Sequence, residues 1–506
     1  MNKLSVFLFS FVVLSTGFFS ACNDMKDDYS TNPNHRLSFS VDTLSFDTVF
    51  TTIGSATRRF MVYNTNKEVL LIESIRLQNT EKSGFRFNID GRAGESFSNI
   101  RIMGKDSLFV FVEVTVNPTG HNEPFLQEDR MEFTTNGVKQ SILLQAHGQD
   151  ATLLKGGTVF DKDTLLTAER PYLIYDSITV ERDVVVSIAE GASFFMHDKA
   201  KWIVKGTITA SGTLEKPVTF RGDRLDNLLT DLPYDRMAGL WGGIYFKEES
   251  FDNIMEHVVV RNATYGVVFD ESTPERSKLK LTNSQLTNSK ENLLSAINCN
   301  IEAINTEFSN AGRGIVSLFG GEYHFIHCTL VNNFKFSPGR NGQSVLTLSN
   351  FIVQEEGEKS FPLTKAAFDN CIIDGSLSEG TESLGGELAV KKNNSGELNY
   401  SFNHCAIKTK ETDNDGFKSI QFLTKDNAIR YKSIGSDDNN YLFDYRIDVS
   451  IDSKGKPKEK QPVIGKADRS VAGKYPVDRM GIDRLAGKDG VDIGAYEYVP
   501  DLKEKE

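Results

Sequence analysis

The chain has 506 residues and carries 57 Lys and Arg against 69 Asp and Glu, for a net charge of −12. A field of that sign repels polyphosphates, which excludes nucleic acid and anionic membrane surfaces as natural partners and leaves polar or neutral ligands open. The length suffices for two or three domains with substantial cores.

Lys3 precedes an apolar run over 6–19, shorter than the about 20 residues that span a bilayer, and small residues follow it; this reads as an export signal. Phe19-Ser20-Ala21-Cys22 resembles a bacterial lipobox, with Phe19 where Leu is usual. The resemblance implies removal of a signal peptide at 1–21, a diacylglycerol thioether on Cys22 and an outer-membrane lipid anchor. The acidic stretch Asn23-Asp24-Met25-Lys26-Asp27-Asp28 is similar to the tag that sends Bacteroidota lipoproteins to the cell exterior. With almost no apolar residues, 22–35 reads as a flexible tether.

Over 36–150 the period-2 alternation of short strands appears at 59–63, 70–77, 85–89, 108–116, 130–134 and 141–146, with Asn136-Gly137 as a hairpin turn between the last two. That spacing predicts a β-sandwich. The order of Tyr63-Asn64, Ile72-Glu73-Ser74-Ile75, Phe87 and a closing 143–148 resembles hydin-like immunoglobulin-type domains, which implies a spacer or binding module. Asp-preceded hydroxyls at Thr43, Thr48, Ser107, Thr164 and Ser177 resemble the Bacteroidota O-glycosylation pattern.

From 151 to 450 the text becomes short strands between brief turns, and six polar-small-x-apolar quartets recur: Asn283-Ser284-Gln285-Leu286, Asn305-Thr306-Glu307-Phe308, His327-Cys328-Thr329-Leu330, Asn350-Phe351-Ile352-Val353, Asn370-Cys371-Ile372-Ile373 and His404-Cys405-Ala406-Ile407. Their first positions step by 22, 22, 23, 20 and 34 residues, the signature of a solenoid. Each quartet reads as a strand whose second and fourth residues face a continuous core. The last step fits a coil with an insertion inside 375–397. Together with Trp241-Gly242-Gly243-Ile244-Tyr245-Phe246 and Glu256-His257-Val258-Val259-Val260-Arg261, these strands resemble bacterial right-handed parallel β-helix proteins, so the fold class is all-β: an immunoglobulin-like sandwich followed by a pectate-lyase-like solenoid. The charged stretch 221–240 interrupts the coils and reads as a folded loop lying on them. Cys299, Cys328, Cys371 and Cys405 read as buried free thiols, because the last three hold the quartet position of Ser284 and Thr306; Cys328 and Cys371 then stand two coils apart, too far to bridge.

The segment 451–506 holds Asp492-Ile493-Gly494-Ala495-Tyr496-Glu497-Tyr498, similar to the DIGAYEY ending of the choice-of-anchor Q group of β-helix surface proteins. Asp483, Asp492 and Glu497 look like catalytic acids, but a solenoid needs a cap over its last strand edge, and Arg484 with Asp492 and Glu497 can hold one in place. The third quartet positions turn from Gln285 and Glu307 to Ile372 and Ala406, so this outer strip needs a cover, either the C-terminal segment or another chain.

No CxxC, HExxH or EF-hand spacing occurs, and neither a metal nor a cofactor is expected. Glu302 with Glu307 or Asp369 with Asp374 offer loose hydrolase pairs, and Arg261, Asp270, Glu271, Arg313, Lys335 and Arg340 offer charges for a lyase. Tyr234, Trp241, Tyr265, Tyr323 and His324, with Arg261, are candidate glycan-stacking and hydroxyl-binding residues. The reading is a polysaccharide- or host-glycan-binding surface lipoprotein without turnover. A polysaccharide lyase or glycoside hydrolase, and a structural adhesin meeting another protein, are the alternatives.

Overall fold

A computed structural model describes residues 29–499 except 52, 80–82, 230, 337–338, 381–384, 437, 439–440, 450–460 and 488–489. The lipobox, the tag and the first half of the tether, 22–28, fall outside the described residues. The chain divides into two compact units at Asp150 and Ala151.

The first unit is an immunoglobulin-like sandwich of two five-stranded sheets. Alternation builds it: in Ser107–Val114 every second residue is buried, in Leu70–Leu77 the buried face shifts by one residue at an irregularity between Ile72 and Ser74, and Val110, Val112, Ile72 and Ile75 are fully enclosed. Phe125–Thr135 and Val138–Gln149 pair antiparallel around Asn136 and Gly137, both at positive φ, the turn geometry that matches strand twist. Two strands that the sequence reading passed over, Thr43–Phe50 and Ser96–Ile102, complete the second sheet.

The second unit is a right-handed parallel β-helix of three sheets, with eleven, nine and ten strands among the described residues. Each full coil gives one strand to each sheet, as Gln285–Ser289, Leu294–Ile297 and Asn300–Ile304 do. Equivalent inward residues stack from rung to rung. Phe325, Phe368 and Phe402 lie 5.1 and 5.0 Å apart at 19° and 17°, close to the roughly 4.8 Å strand spacing that the backbone ladder imposes.

The quartets mark a corner rather than a strand. Their first residues, Asn283, Asn305, His327, Asn370 and His404, all have φ between 48° and 54°, a left-handed conformation that Asn and His tolerate. The strand begins only at the third residue. The bend leaves the second residue's N–H unserved by the ladder, and the side chain one rung further on accepts it: Val258 N donates to Ser284 Oγ at 3.0 Å, and Cys328 N to Cys371 Sγ at 3.4 Å. Small hydroxyls and thiols are therefore interchangeable there.

Asn350 is not such a corner. Phe351–Gln354 pairs antiparallel with Gly357–Ser360 as a hairpin outside the coil, so Cys328 and Cys371 sit on adjacent rungs, not two coils apart. They are nevertheless free and buried, like Cys299 and Cys405. Each thiol points to a backbone carbonyl; Cys371 Sγ lies 3.4 Å from Phe325 O.

The outer strip of the eleven-stranded sheet is covered from within the chain. The hairpin Tyr431–Ile434 with Phe443–Ile447, followed by 461–487 and 490–499, lies on it, burying Ile372, Ala406, Tyr445, Val463 and Ile493 in one cluster. The DIGAYEY segment meets the solenoid along its flank at the eighth and ninth strands of the eleven-stranded sheet: Gly494 N donates to Asn370 O at 2.9 Å and Ala495 N to Thr329 Oγ1 at 3.0 Å. Gly494 has φ +106°, and a Cβ there would lie 2.7 Å from Ile372 Cδ1, so only glycine fits. Arg484, fully buried, donates to Glu497 at 2.7 Å and to Asn305 Oδ1 at 3.1 Å. Asp492 accepts from Gly465 N and Tyr498 N. These contacts make the segment a strap rather than an end cap. Burial and the Asp492 carboxylate push Glu497 up to about 8, against the pull of Arg484.

Candidate functional site

In Val218–Gly222 the residues Val218, Phe220 and Gly222 face the core, which turns Thr219 and Arg221 outward. In Val258–Arg261 the same parity turns Arg261 outward. Phe220 pairs with Val260, so the two arginines occupy neighbouring rungs of one outer stripe. Like charges so placed repel, and the insertion 223–240 supplies what lies between them.

That insertion carries a short antiparallel pair, Asn227–Leu229 with Leu232–Pro233, then a 3-10 turn at Tyr234–Arg236. Two left-handed corner residues tie it down. Asn262 Nδ2 donates to Asp235 O at 2.9 Å and Met237 O at 2.7 Å, and Asn288 Nδ2 reaches Asp235 O at 3.4 Å. The Asp235 carboxylate is thereby set among three guanidiniums: Arg221 at 3.0 Å, Arg261 at 3.1 Å and Arg236 at 3.3 Å. The side chains of Arg236 and Arg261 stay 23% and 26% exposed. Their Nε atoms are buried without hydrogen-bond partners, as is Asn262 Oδ1.

Arg224 is paired with Asp226, and Asp223 acts on Arg221, so four guanidiniums meet three carboxylates and a surplus of one positive charge remains in an acidic protein. Burial, and next the neighbouring Arg261, lower Arg221 to about 10; burial likewise lowers Arg261. Rings flank the charges. Arg224 lies 4.0 Å over the Tyr234 ring while bonding both oxygens of Asp226 at 2.7 Å, and Arg221 lies over Phe195 at 5.6 Å. Successive rungs place Tyr175, His197 and Asp223 at one corner. Tyr175 and His197 stack at 4.2 Å, and His197 Nδ1 is 2.6 Å from Asp223, whose carboxyl is raised by burial.

Of the residues singled out from sequence, Arg261, Tyr234 and Trp241 come together here, the last in a different role. Trp241 is fully buried and cannot stack on a ligand; its Nε1 donates to Arg261 O at 2.7 Å and positions that residue. Tyr323 is also enclosed, with its hydroxyl 3.3 Å from Cys299 N, because it shares strand parity with the inward Phe325. Tyr265 is exposed but packs edge-on against Tyr245, of the nine-stranded sheet. His324 belongs to the ten-stranded sheet and pairs with Asp369 at 2.7 Å. Glu302 and Glu307 lie on different sheets, as do Asp369 and Asp374, so neither pair faces a common groove. Arg340 is buried against Glu387 instead of open to solvent. Sequence reasoning missed Arg221, Arg236, Asp235 and His197. Aligning Val-Thr-Phe-Arg with Val-Val-Val-Arg by strand parity would have found Arg221.

A concavity of about 760 Å³, away from the arginine cluster, runs between the ten-stranded sheet at Ile254, Lys280 and Ile304 and the strap at Tyr475 and Val477. Among the described residues no cluster of three or more His, Cys, Asp or Glu is placed to hold a metal.

No family model matches the sequence, and comparison with curated proteins returned no relative. Among solved structures the chain is similar to the catalytic unit of a thermostable GH87 α-1,3-glucanase from Streptomyces thermodiastaticus strain HF3-3, at 9% identity over 72% of this chain and 76% of that one, with a TM-score of 0.30. It is similar to the Agl-KA catalytic domain at 10% identity, over 72% and 80%, with a TM-score of 0.29. The ASH/PapD-like domain of human CEP192 matches at 10% identity over 26% of this chain and 95% of its own, with a TM-score of 0.17. None of these likenesses bears on activity.

Proposed function

We propose that this chain is a lipid-anchored surface protein, held through Cys22, whose β-helix binds a glycan without turning it over. The binding face is the outer stripe around Arg221, Arg236 and Arg261. The observation that carries this reading is the convergence of three guanidiniums, the Tyr234 ring and the Tyr175–His197 stack on one partly exposed flank. Rings give apolar platforms to sugar faces, and charged donors bond hydroxyl and acid oxygens. The lipid anchor rests on the lipobox resemblance, with the acidic tag after Cys22 pointing to the same compartment, and a Cys22→Ala chain that still takes up radiolabelled fatty acid would remove the anchor.

One observation favours a second reading. A His bonded to Asp beside guanidiniums is what a lyase needs to take a proton next to a uronate carboxylate, the cations neutralising the charge that develops. Incubating the purified mature chain with immobilised glycans, while following unsaturated product absorbance and reducing ends, separates the two. Retention without product supports binding; product formation puts the lyase first; retention of no glycan ends both.

A further inference from the structure

Resting on that glycan-binding reading, we infer that the Asp235 cluster is a subsite for an anionic sugar, one presenting a uronate carboxylate or a sulfate ester. Asp235 occupies the focus of the site as a built-in oxyanion. One carboxylate has far fewer lone pairs than three guanidiniums have N–H donors. Arg221 spends part of its capacity on the backbone, donating to Gly222 O at 3.2 Å and Arg224 O at 3.3 Å. Arg236 and Arg261 each touch the same oxygen, Asp235 Oδ2, and carry buried Nε atoms with nothing to bond.

A purely structural cluster would match its charges. Here the insertion is already secured by Asn262 and Asn288 through backbone carbonyls, so the surplus guanidiniums are not required to hold it. The side chains of Arg236 and Arg261 stay about a quarter exposed, and through that exposed part an incoming oxyanion can be shared between them; the buried Nε atoms take no part. The neighbouring Tyr234 ring, capped on one side by Arg224, flanks the position that a sugar ring attached to that oxyanion would take.

The test compares the intact mature chain with Arg236→Gln and Asp235→Asn in titrations with oligogalacturonate, a sulfated oligosaccharide and a neutral β-glucan oligosaccharide, each protein checked for folding by circular dichroism. The site predicts that an acidic oligosaccharide binds in preference to the neutral one. Arg236→Gln should weaken that binding by about tenfold, while Asp235→Asn, which removes the internal competitor, should tighten it even as it lowers the unfolding temperature. Which acidic probe binds tells carboxylate from sulfate. Equal binding of neutral and acidic sugars, unmoved by either variant, overturns the inference and leaves glycan binding standing. Binding of none of the three overturns glycan binding itself. Should both variants unfold, the salt dependence of wild-type binding decides: affinity that does not fall as salt rises contradicts a site built on guanidiniums.

Discussion

Tyr496 donates its phenolic hydrogen to Glu307, 189 residues earlier in the chain. This contact links the strap to the solenoid's outer strip, and both partners are buried. Glu307 also accepts from Gln285 Nε2 at 2.9 Å and Ser309 Oγ at 2.6 Å, and Arg479 donates to the same Tyr496 hydroxyl at 3.1 Å. The exposed-looking acid in the repeat thus belongs to a closed network.

Tyr496→Phe removes one donor from a buried carboxylate and one acceptor from Arg479. The expected cost is about 1.5–3 kcal/mol, read as a lower denaturation midpoint for the β-helix transition with the sandwich transition unmoved. A midpoint equal to wild type would mean that the strap is held by apolar contact alone.

His327 stands where other rungs carry Asn283, Asn305 and Asn370, with the same left-handed backbone, and Asn370 Nδ2 meets its Nε2 at 3.0 Å. Burial and the nearby Arg484 hold its imidazole well below the usual range. A depressed histidine stays neutral when folded but takes up a proton when unfolded, so stability is lost as pH falls below about 6.5. His327→Asn should match wild type near pH 7.5 and unfold at a higher temperature near pH 5. An equal or lower unfolding temperature at pH 5 would contradict the ladder role.

Glu497 acts in the opposite sense. Its folded value of about 8 lies above the ordinary 4.5, so the folded state keeps a proton that the unfolded state has lost, and stability falls as pH rises through that window. Below pH 6.5 the His327 effect offsets it. Between pH 6.5 and 8 the decline is uncompensated and amounts to up to about 2 kcal/mol. Glu497→Gln should flatten it, and an equally steep decline in that variant would place the titration elsewhere.

At the corner position Cys371 can be replaced by the hydroxyl that Ser284 already uses. Cys371→Ser should stay within about 1 kcal/mol of wild type, while Cys371→Ala leaves Cys328 N–H unpaired and costs about 1–3 kcal/mol. A thiol reagent should label the four buried cysteines only after denaturation. If Ala is tolerated better than Ser, the thiol is mere filler.

The solenoid was legible because its inward positions repeat in kind: small at the corner, aliphatic or aromatic two residues later. The error at Asn350 had a visible signal, since Phe351 is bulky where each of the five other quartets has Ser, Thr or Cys at that position, but a matching first letter and an acceptable step concealed it. Strand parity would have placed Tyr323 inside with Phe325 and Arg221 outside with Arg261. Asp235 was out of reach of such reasoning. It sits in an irregular insertion whose path is fixed by Asn262 and Asn288, contacts of the folded chain that no periodicity announces. The covered strip was anticipated from its drift towards Ile372 and Ala406; that the cover runs along the flank, with Gly494 pressed on Ile372, needed the structure.

The most direct measurement is hydrogen–deuterium exchange of the chain from residue 29 onwards with and without an acidic oligosaccharide. The account predicts slowed exchange confined to 219–222, 233–241 and 259–263, around the three guanidiniums. Protection at 474–481 and the facing ten-stranded sheet, or nowhere in the β-helix, would contradict it.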